Sequence, residues 1–235
     1  MNQVLEQWER AAQAYAAGQE QNKNARDNMA VVQRRFPAMP GCAVLDAGCG
    51  YGVFTDYFRR IGADVIGCDG SPAMLRQARA RYPEGAFEQV DLQQSLPYAD
   101  ERFDLVFCNQ VLMDLPEIES LFDEFARVLK TGGRLFCAIV HPAAYPGEWL
   151  EDEHGVKIAR MLRSYAREYQ IQHDFCGGTT HFHRPISYYC NLAAQSGLCL
   201  IGMEEPCAAD DTDNISGMPL FLYAEWRKLG AAEAE

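Results

Sequence analysis

Three aspartates, a run of alternate glycines and a cluster of histidines carry most of the chemistry open to this 235-residue sequence. Val44-Leu45-Asp46-Ala47-Gly48-Cys49-Gly50-Tyr51-Gly52 runs from apolar residues into a carboxylate and then into three glycines at alternate positions. Glycine there admits positive φ and lets a ligand reach backbone that a side chain would cover, and the helical segment starting at Val53 adds unpaired N–H groups. A dinucleotide-binding turn would read Gly-x-Gly-x-x-Gly, but here the third glycine comes one residue early and Asp46 sits two residues before the first. A carboxylate at that point repels phosphate and attracts a cation. Asp69 ends a second apolar run 21 residues after Gly48, where a carboxylate can accept both hydroxyls of a ribose, one oxygen to each. Asp91 ends a third run. All five histidines, His141, His154, His173, His181 and His183, fall within 43 residues, which confines imidazole titration near neutral pH to that interval.

The hydrophobic spacing predicts the elements that hold these residues. Helices are expected over 2–17 and 22–36, then strand 42–47, helix 52–61, strand 64–69, helix 72–82, strands 86–90 and 103–108, helix 117–130 and strand 134–140. Strands alternating with helices imply a parallel sheet covered on both faces. Asp46, Asp69 and Asp91 then meet at one sheet edge, around the switch point where such sheets bind ligands. Further on, an acidic stretch from Glu148 to Glu153 precedes a helical run from Val156 to Tyr169 and a flexible Cys176-Gly177-Gly178 turn. A helix from Arg184-Pro185 to Gly197 leads into an antiparallel pair, Leu198–Glu204 and Pro219–Trp226. The expected fold class is α/β, a doubly wound, seven-stranded, mostly parallel sheet with an N-terminal helical cap and an insertion after strand five. Its parts are the cap at 1–40, a ligand-binding core at 41–140, a lid roofing an acceptor pocket at 141–184, and a C-terminal helix and strands at 185–235 that complete the sheet.

Asp46-x-Gly48-x-Gly50-x-Gly52 resembles motif I of the class I S-adenosylmethionine-dependent methyltransferases, and later landmarks fall where that family puts them. Phe103-Asp104 matches the start of its fourth strand, Leu129-Lys130-Thr131-Gly132-Gly133 the turn before its fifth, and His181-Phe182-His183-Arg184-Pro185-Ile186-Ser187 the helix start after the lid of small-molecule members. The resemblance implies S-adenosylmethionine as cofactor and S-adenosylhomocysteine as product. It implies a cofactor site of Asp46, Gly48 and Gly50 at the methionine end, Asp69 and Gly70 at the ribose, and Met74, Asp91 and Leu92 around adenine. Asn109 and Gln110 would face the transferred methyl, Tyr15 would close over the methionine end, and Arg26 would pair with the cofactor carboxylate. An aromatic ring beside a sulfonium is favourable through cation–π attraction. Asn109-Gln110-Val111-Leu112 differs from the Asn/Asp-Pro-Pro-Tyr/Phe of enzymes that methylate amino groups of bases or glutamine, which disfavours that class. The candidate bases are His141, at the end of strand five beside the strand carrying Asn109, and His183, at the return of the lid.

Acids outnumber bases 33 to 21, for a formal charge of −12, which opposes binding to nucleic acid. The N-terminal residues lack the pattern of a signal peptide and no run is long enough to span a bilayer, so a cytoplasmic location with no membrane contact is expected. Of nine cysteines, none in a C-x-x-C pair, Cys42, Cys68, Cys108 and Cys137 lie in or at the ends of predicted strands and read as buried thiols, and Pro206-Cys207 follows the wrong strand for the nucleophile of cytosine C5 methyltransferases. His173-x-x-Cys176 and His181-x-His183 fit no zinc spacing, so no metal is expected. Tyr145, Trp149, Phe175, Phe182 and Tyr188 around the histidines imply a small acceptor, partly aromatic or apolar. Two rival readings stand beside methyl transfer. A nicotinamide oxidoreductase shares the sheet but leaves Asp46 unexplained, and a non-catalytic cofactor-binding or regulatory protein would keep the glycine turn without an organised acceptor pocket.

Overall fold

A computed structural model describes residues 3–19, 22–145, 147–206 and 218–230, the side chain of Phe175 excepted. Two helices, α1 (Gln3–Gln19) and α2 (Lys23–Arg35), precede the alternating core: β1 (Ala43–Ala47), α3 (Val53–Arg60), β2 (Asp64–Asp69), α4 (Pro72–Arg81), β3 (Ala86–Gln89), β4 (Phe103–Asn109), α5 (Glu119–Val128) and β5 (Leu129–Val140). Local chemistry sets the boundaries. Ser71 caps α4 by accepting from the Met74 N–H, with Pro72 in the first turn, and Asn22 caps α2 through Asn24 N–H.

The seven strands run in the order β10 (Leu198–Glu204), β11 (Phe221–Lys228), β5, β4, β1, β2, β3. The strand β11 is antiparallel to both its neighbours and the other six run parallel. This is the expected doubly wound sheet, and its order reverses between β1 and β4, where strand ends diverge and leave a crevice. On one face Phe107 and Phe136 stack at 5.4 Å beneath Phe36 and Phe58. On the other, Phe122 meets Trp226 edge-on at 6.2 Å. Each fully buried side chain of this size contributes about 1.5–3 kcal/mol of transfer free energy, so the two layers clamp the sheet whose ends form the crevice. The described cysteines are free thiols; Cys68, Cys108 and Cys137 are buried as expected, Cys42, just before β1, is only half-buried, and Cys207 lies outside the described residues.

Between β5 and the helix α6 (Ile186–Gln195) the chain forms two hairpins. One pairs β6 (Glu148–Glu151) with β7 (Lys157–Met161), the other β8 (Tyr169–His173) with β9 (Thr179–His183). The helix expected over Val156–Tyr169 is therefore a correction. Asp152 closes a turn by accepting from the His154 and Val156 N–H groups, with Gly155 at a φ of 76°, and that turn folds residues 157–161 back on residues 148–151 as a strand. Among the described residues no helix is long and apolar enough to cross a membrane.

Candidate active site

The floor of the crevice is built by the turn after β1. Gly48 and Gly50 sit at φ of 78° and 54°, a region L-residues rarely adopt. A Cβ added to Gly48 would lie 2.3 Å from the Val111 side chain, whereas one on Gly50 would meet nothing within 4 Å, because it would project into a cavity of about 320 Å³. That space next to bare backbone is where a ligand can approach. Asp69, at the end of β2, accepts from Gly50 N–H through Oδ2 at 2.9 Å and from Ser71 N–H through Oδ1 at 2.8 Å. Each oxygen keeps lone-pair capacity for a ribose hydroxyl, and both are oriented by backbone. Asp46 is buried, with Thr55 Oγ1 donating to its Oδ2 at 2.6 Å. Burial, opposed by the Thr55 hydrogen bond and reinforced by the charge of Asp69, pushes the Asp46 carboxyl up to about 7. Burial, against the Ser71 and Gly50 N–H groups, pushes Asp69 up to about 6. Both groups gain from a cationic ligand that stabilises their charged forms.

Helix α1 closes the crevice from above. Glu9 holds it to the N-terminus of α4, accepting from Ser71 Oγ at 2.6 Å, Ala73 N–H at 2.8 Å and Arg76 at 3.1 Å. Leu5 packs so tightly over Gly70 that a Cβ there would sit 2.5 Å from Leu5 Cδ2. Six residues beyond Glu9, Tyr15 lines the cavity, edge-on to Trp8 at 5.3 Å and to Tyr51 at 6.0 Å. From α2, Ala25, Asn28 and Met29 face inward at helical spacing, and Asn28 Nδ2 donates to Asn109 Oδ1 at 3.1 Å. Arg26 lies between these positions on the helix surface, exposed and outside the cavity wall. Of the expected cofactor residues, Tyr15, Asp46, Gly48, Gly50, Asp69, Gly70, Met74, Asp91, Leu92, Asn109 and Gln110 all line this one cavity, and Arg26 does not.

The two expected bases are placed elsewhere. Val140 faces the cavity, so alternation along the chain turns His141 away, where Nε2 meets Glu205 at 2.7 Å and Nδ1 accepts from Ala143 N–H at 3.1 Å. His183 sits two residues past the cavity-facing position of β9, stacked on Tyr169 at 4.5 Å with Nε2 2.9 Å from the Tyr165 carbonyl. Neither lines the cavity. The imidazole that does is His181, beside Tyr145 and Asp114. Asp114 stands in a 3-10 turn (Leu112–Asp114) just after β4, a turn the sequence reading did not single out. Its signal was an acid five residues beyond Asn109, in a sequence otherwise apolar. Trp149 is flanked by Lys157 and Arg160, while Phe182 and Tyr188 flank Arg184, so only Tyr145 of the described lid aromatics reaches the cavity.

Residues 45–137 match the family described as a methyltransferase domain, which spans the glycine turn and all three strand-end acids. The chain also overlays a crystal structure of an S-adenosylmethionine-dependent methyltransferase from Mesorhizobium loti with a TM-score of 0.74 at 25% identity, covering 89% of this chain and 99% of that one. Residues 45–137 therefore carry the pattern of a methyltransferase domain, on the fold of the class I S-adenosylmethionine-dependent methyltransferases. The chain is 34% identical over 165 residues to a trans-aconitate 2-methyltransferase of Azoarcus sp., covering 65% of this chain and 62% of the relative. With a malonyl-[acyl-carrier protein] O-methyltransferase of Pseudescherichia vulneris it shares 37% identity over 125 residues, 53% of this chain and 48% of that protein. The chain thus spans about half the length of several curated relatives it matches. The cavity has features that suit S-adenosylmethionine. Bare backbone at Gly50, a doubly oriented carboxylate at Asp69 and a buried acid at Asp46 suit a nucleoside that carries an ammonium and a sulfonium.

Proposed function

We propose that this chain is a methyltransferase that moves the methyl group of S-adenosylmethionine to a small-molecule acceptor by in-line displacement. The observation that carries the reading is the continuity of one cavity. It runs from the acids at the ends of β1, β2 and β3 past Asn109 and Gln110 to a chamber walled by Met113, Asp114, Val140, Tyr145, His181 and Phe221. When bound, S-adenosylmethionine supplies an electrophilic methyl on a sulfonium. The chain's own part is to hold the ribose at Asp69, cover the methionine end with Tyr15, and align an acceptor in the far chamber with water excluded. Residues 141–184 are assigned as the lid over that chamber, and Tyr145 and His181 are its contributions to the wall. The relatives' names place methyl transfer on trans-aconitate, on malonyl carrier protein and in ubiquinone biosynthesis, all small acceptor groups. The nicotinamide reading fares worse because Asp46 lies under the turn where a pyrophosphate would sit.

Calorimetry with S-adenosylmethionine, S-adenosylhomocysteine and a nicotinamide dinucleotide tests the cofactor half. The first two are expected to bind at micromolar concentrations and the third not at all. Asp69→Ala should weaken both by roughly tenfold or more, since each ribose hydroxyl loses an oriented acceptor. Labelled methyl donor with a compound panel, read by mass spectrometry, tests transfer. Preferential binding of the dinucleotide, or full affinity in Asp69→Ala, would falsify the assignment.

A further inference from the structure

At the acceptor end of the cavity three buried polar atoms come together without hydrogen-bond partners. They are Asp114 Oδ1, His181 Nδ1 and His173 Nε2. His181 Nε2 lies 3.1 Å from Asp114 Oδ1, close enough to pair but without hydrogen-bond alignment, and the His173 and His181 rings meet edge-on at 4.4 Å. Asp114 is 5% exposed, and it and His181 both face the cavity. Orphaned buried polar atoms are unfavourable, and two of the three residues that carry them, Asp114 and His181, line the cavity, where a polar ligand group can pair with them. The turn bearing Asp114 is held from behind by Arg184, which donates to the carbonyls of Leu112, Leu115 and Pro116 at 3.2, 2.9 and 2.7 Å. The carboxylate therefore has a fixed position. A second observation concerns charge. All 21 lysines and arginines of the chain lie within the described residues, and none lines the cavity, whereas Asp46, Asp69, Asp91 and Asp114 all do. A carboxylate acceptor in this chamber would give up its hydration with no protein cation to meet it.

Resting on the methyl-transfer reading above, we infer that Asp114 and His181 together take the proton of a neutral hydroxyl acceptor, and that this enzyme does not methylate carboxylates. The acceptor oxygen forms its bond to the methyl carbon as the carbon–sulfur bond breaks, and sulfur keeps that electron pair as a neutral thioether. The hydroxyl proton passes to the Asp114–His181 pair and leaves to solvent after the product. The groups facing Asp114 are Tyr15 from α1, Cys108 from β4, Tyr145 after β5 and His181 from β9, with His173 of β8 behind the last. Burial raises the Asp114 carboxyl well above the usual carboxylate range, while burial and the neighbouring His173 lower His181 to about 4.

The test is transfer from tritiated S-adenosylmethionine to uncharged phenols such as catechol and 4-methylphenol, set against malonate monomethyl ester and trans-aconitate, in wild type, Asp114→Asn and His181→Gln. Labelled product is expected from the phenols alone. Each variant should lower kcat at least 100-fold with S-adenosylmethionine affinity within about twofold, and the acidic limb of the kcat–pH profile should disappear. If a variant does not fold, the His181 ring in the wild-type S-adenosylhomocysteine complex is followed by NMR, and catechol is expected to move its resonance and its titration. Four results overturn the inference: transfer that favours the carboxylates, near-normal kcat with an unchanged pH profile in both variants, a His181 signal indifferent to catechol, or no phenol bound or methylated by protein that binds S-adenosylmethionine. Failure to bind S-adenosylmethionine at all is a separate outcome that counts against the methyl-transfer reading itself.

Discussion

At the scale of single residues, the two acids under the proposed cofactor site are expected to tie ligand binding to pH. Asp46 and Asp69 have folded pKa values of about 7 and about 6, both above the ordinary aspartate range, chiefly because burial penalises the charged form. A raised acid binds protons more tightly in the folded than in the unfolded chain. The ligand-free fold therefore carries this contribution in full at low pH and loses it as pH rises from about 4 towards 7. A cationic ligand acts in the opposite sense, since it stabilises the ionised carboxylates. The rise in Tm caused by saturating S-adenosylmethionine should accordingly be larger at pH 8 than at pH 5.5, read by differential scanning fluorimetry, and equal increments would refute the placement of its positive charge near these acids. Thr55→Val sharpens the point. It keeps the shape of a buried side chain but removes the 2.6 Å hydrogen bond to Asp46, so it should raise that pKa further and weaken S-adenosylmethionine binding severalfold at pH 7, with recovery at pH 8.5. A loss of affinity that does not recover at high pH would assign Thr55 to packing alone.

At the scale of elements, one carboxylate ties α1 to the start of α4. Glu9 bonds three donors at the start of α4, and the same helix carries Tyr15 across the cavity six residues later. Glu9→Ala should lower Tm by about 2–4 °C, the shift that roughly 1 kcal/mol produces in a chain of this size, and weaken S-adenosylmethionine binding severalfold through a looser Tyr15. Unchanged affinity despite the lower Tm would separate the helix from the site. The elements also divide by how well the sequence announces them. From β1 to β5 the predicted boundaries mostly lie within a residue or two of the observed ones, because strands buried on both faces and capped helices write their period and their stops into consecutive residues. The main departure is β5, which begins at Leu129 where a helix was expected to continue to 130. The lid fails for a different reason. Val156 to Tyr169 has enough apolar and charged residues to mimic helical spacing, while the decisive signal is the Asp152–Gly155 turn, a local hydrogen-bond pattern that says hairpin only when the flanking runs are compared as partners. The same gap explains the bases. That histidines crowd the lid was visible, but which of them faces inward depends on strand register, and a step of one or two residues exchanges His181 for its neighbours.

At the scale of the whole molecule, the site belongs to no single part of the chain. Its walls come from α1, from α2, from the ends of β1 to β4, from the segment after β5, from β9 and from the residues entering β11. The half proposed for the cofactor was legible as one cavity because motif spacing, glycines and strand-end acids are properties of short stretches. The acceptor half was less so because Asp114, Tyr145 and His181 are brought together from positions 31 and 36 residues apart by tertiary packing alone. A ligand that needs all these walls binds only the folded chain, so its free energy adds to global stability by mass action. At a concentration one hundred times Kd that addition is about 2.7 kcal/mol, and in a chain of 235 residues it corresponds to a Tm rise of about 5–10 °C. The rise is expected within one cooperative transition, observed alike by near-UV circular dichroism, which reports the aromatic core, and by fluorescence of Trp149 in the first lid hairpin, with Trp8 and Trp226 each changed to Phe. Coincident transitions that shift together with S-adenosylhomocysteine would show that lid and sheet unfold as one unit around the ligand. If the Trp149 signal melts early and ignores the ligand while the core signal shifts, the hairpins fold independently, and their contribution to the acceptor wall is made only in a subset of molecules.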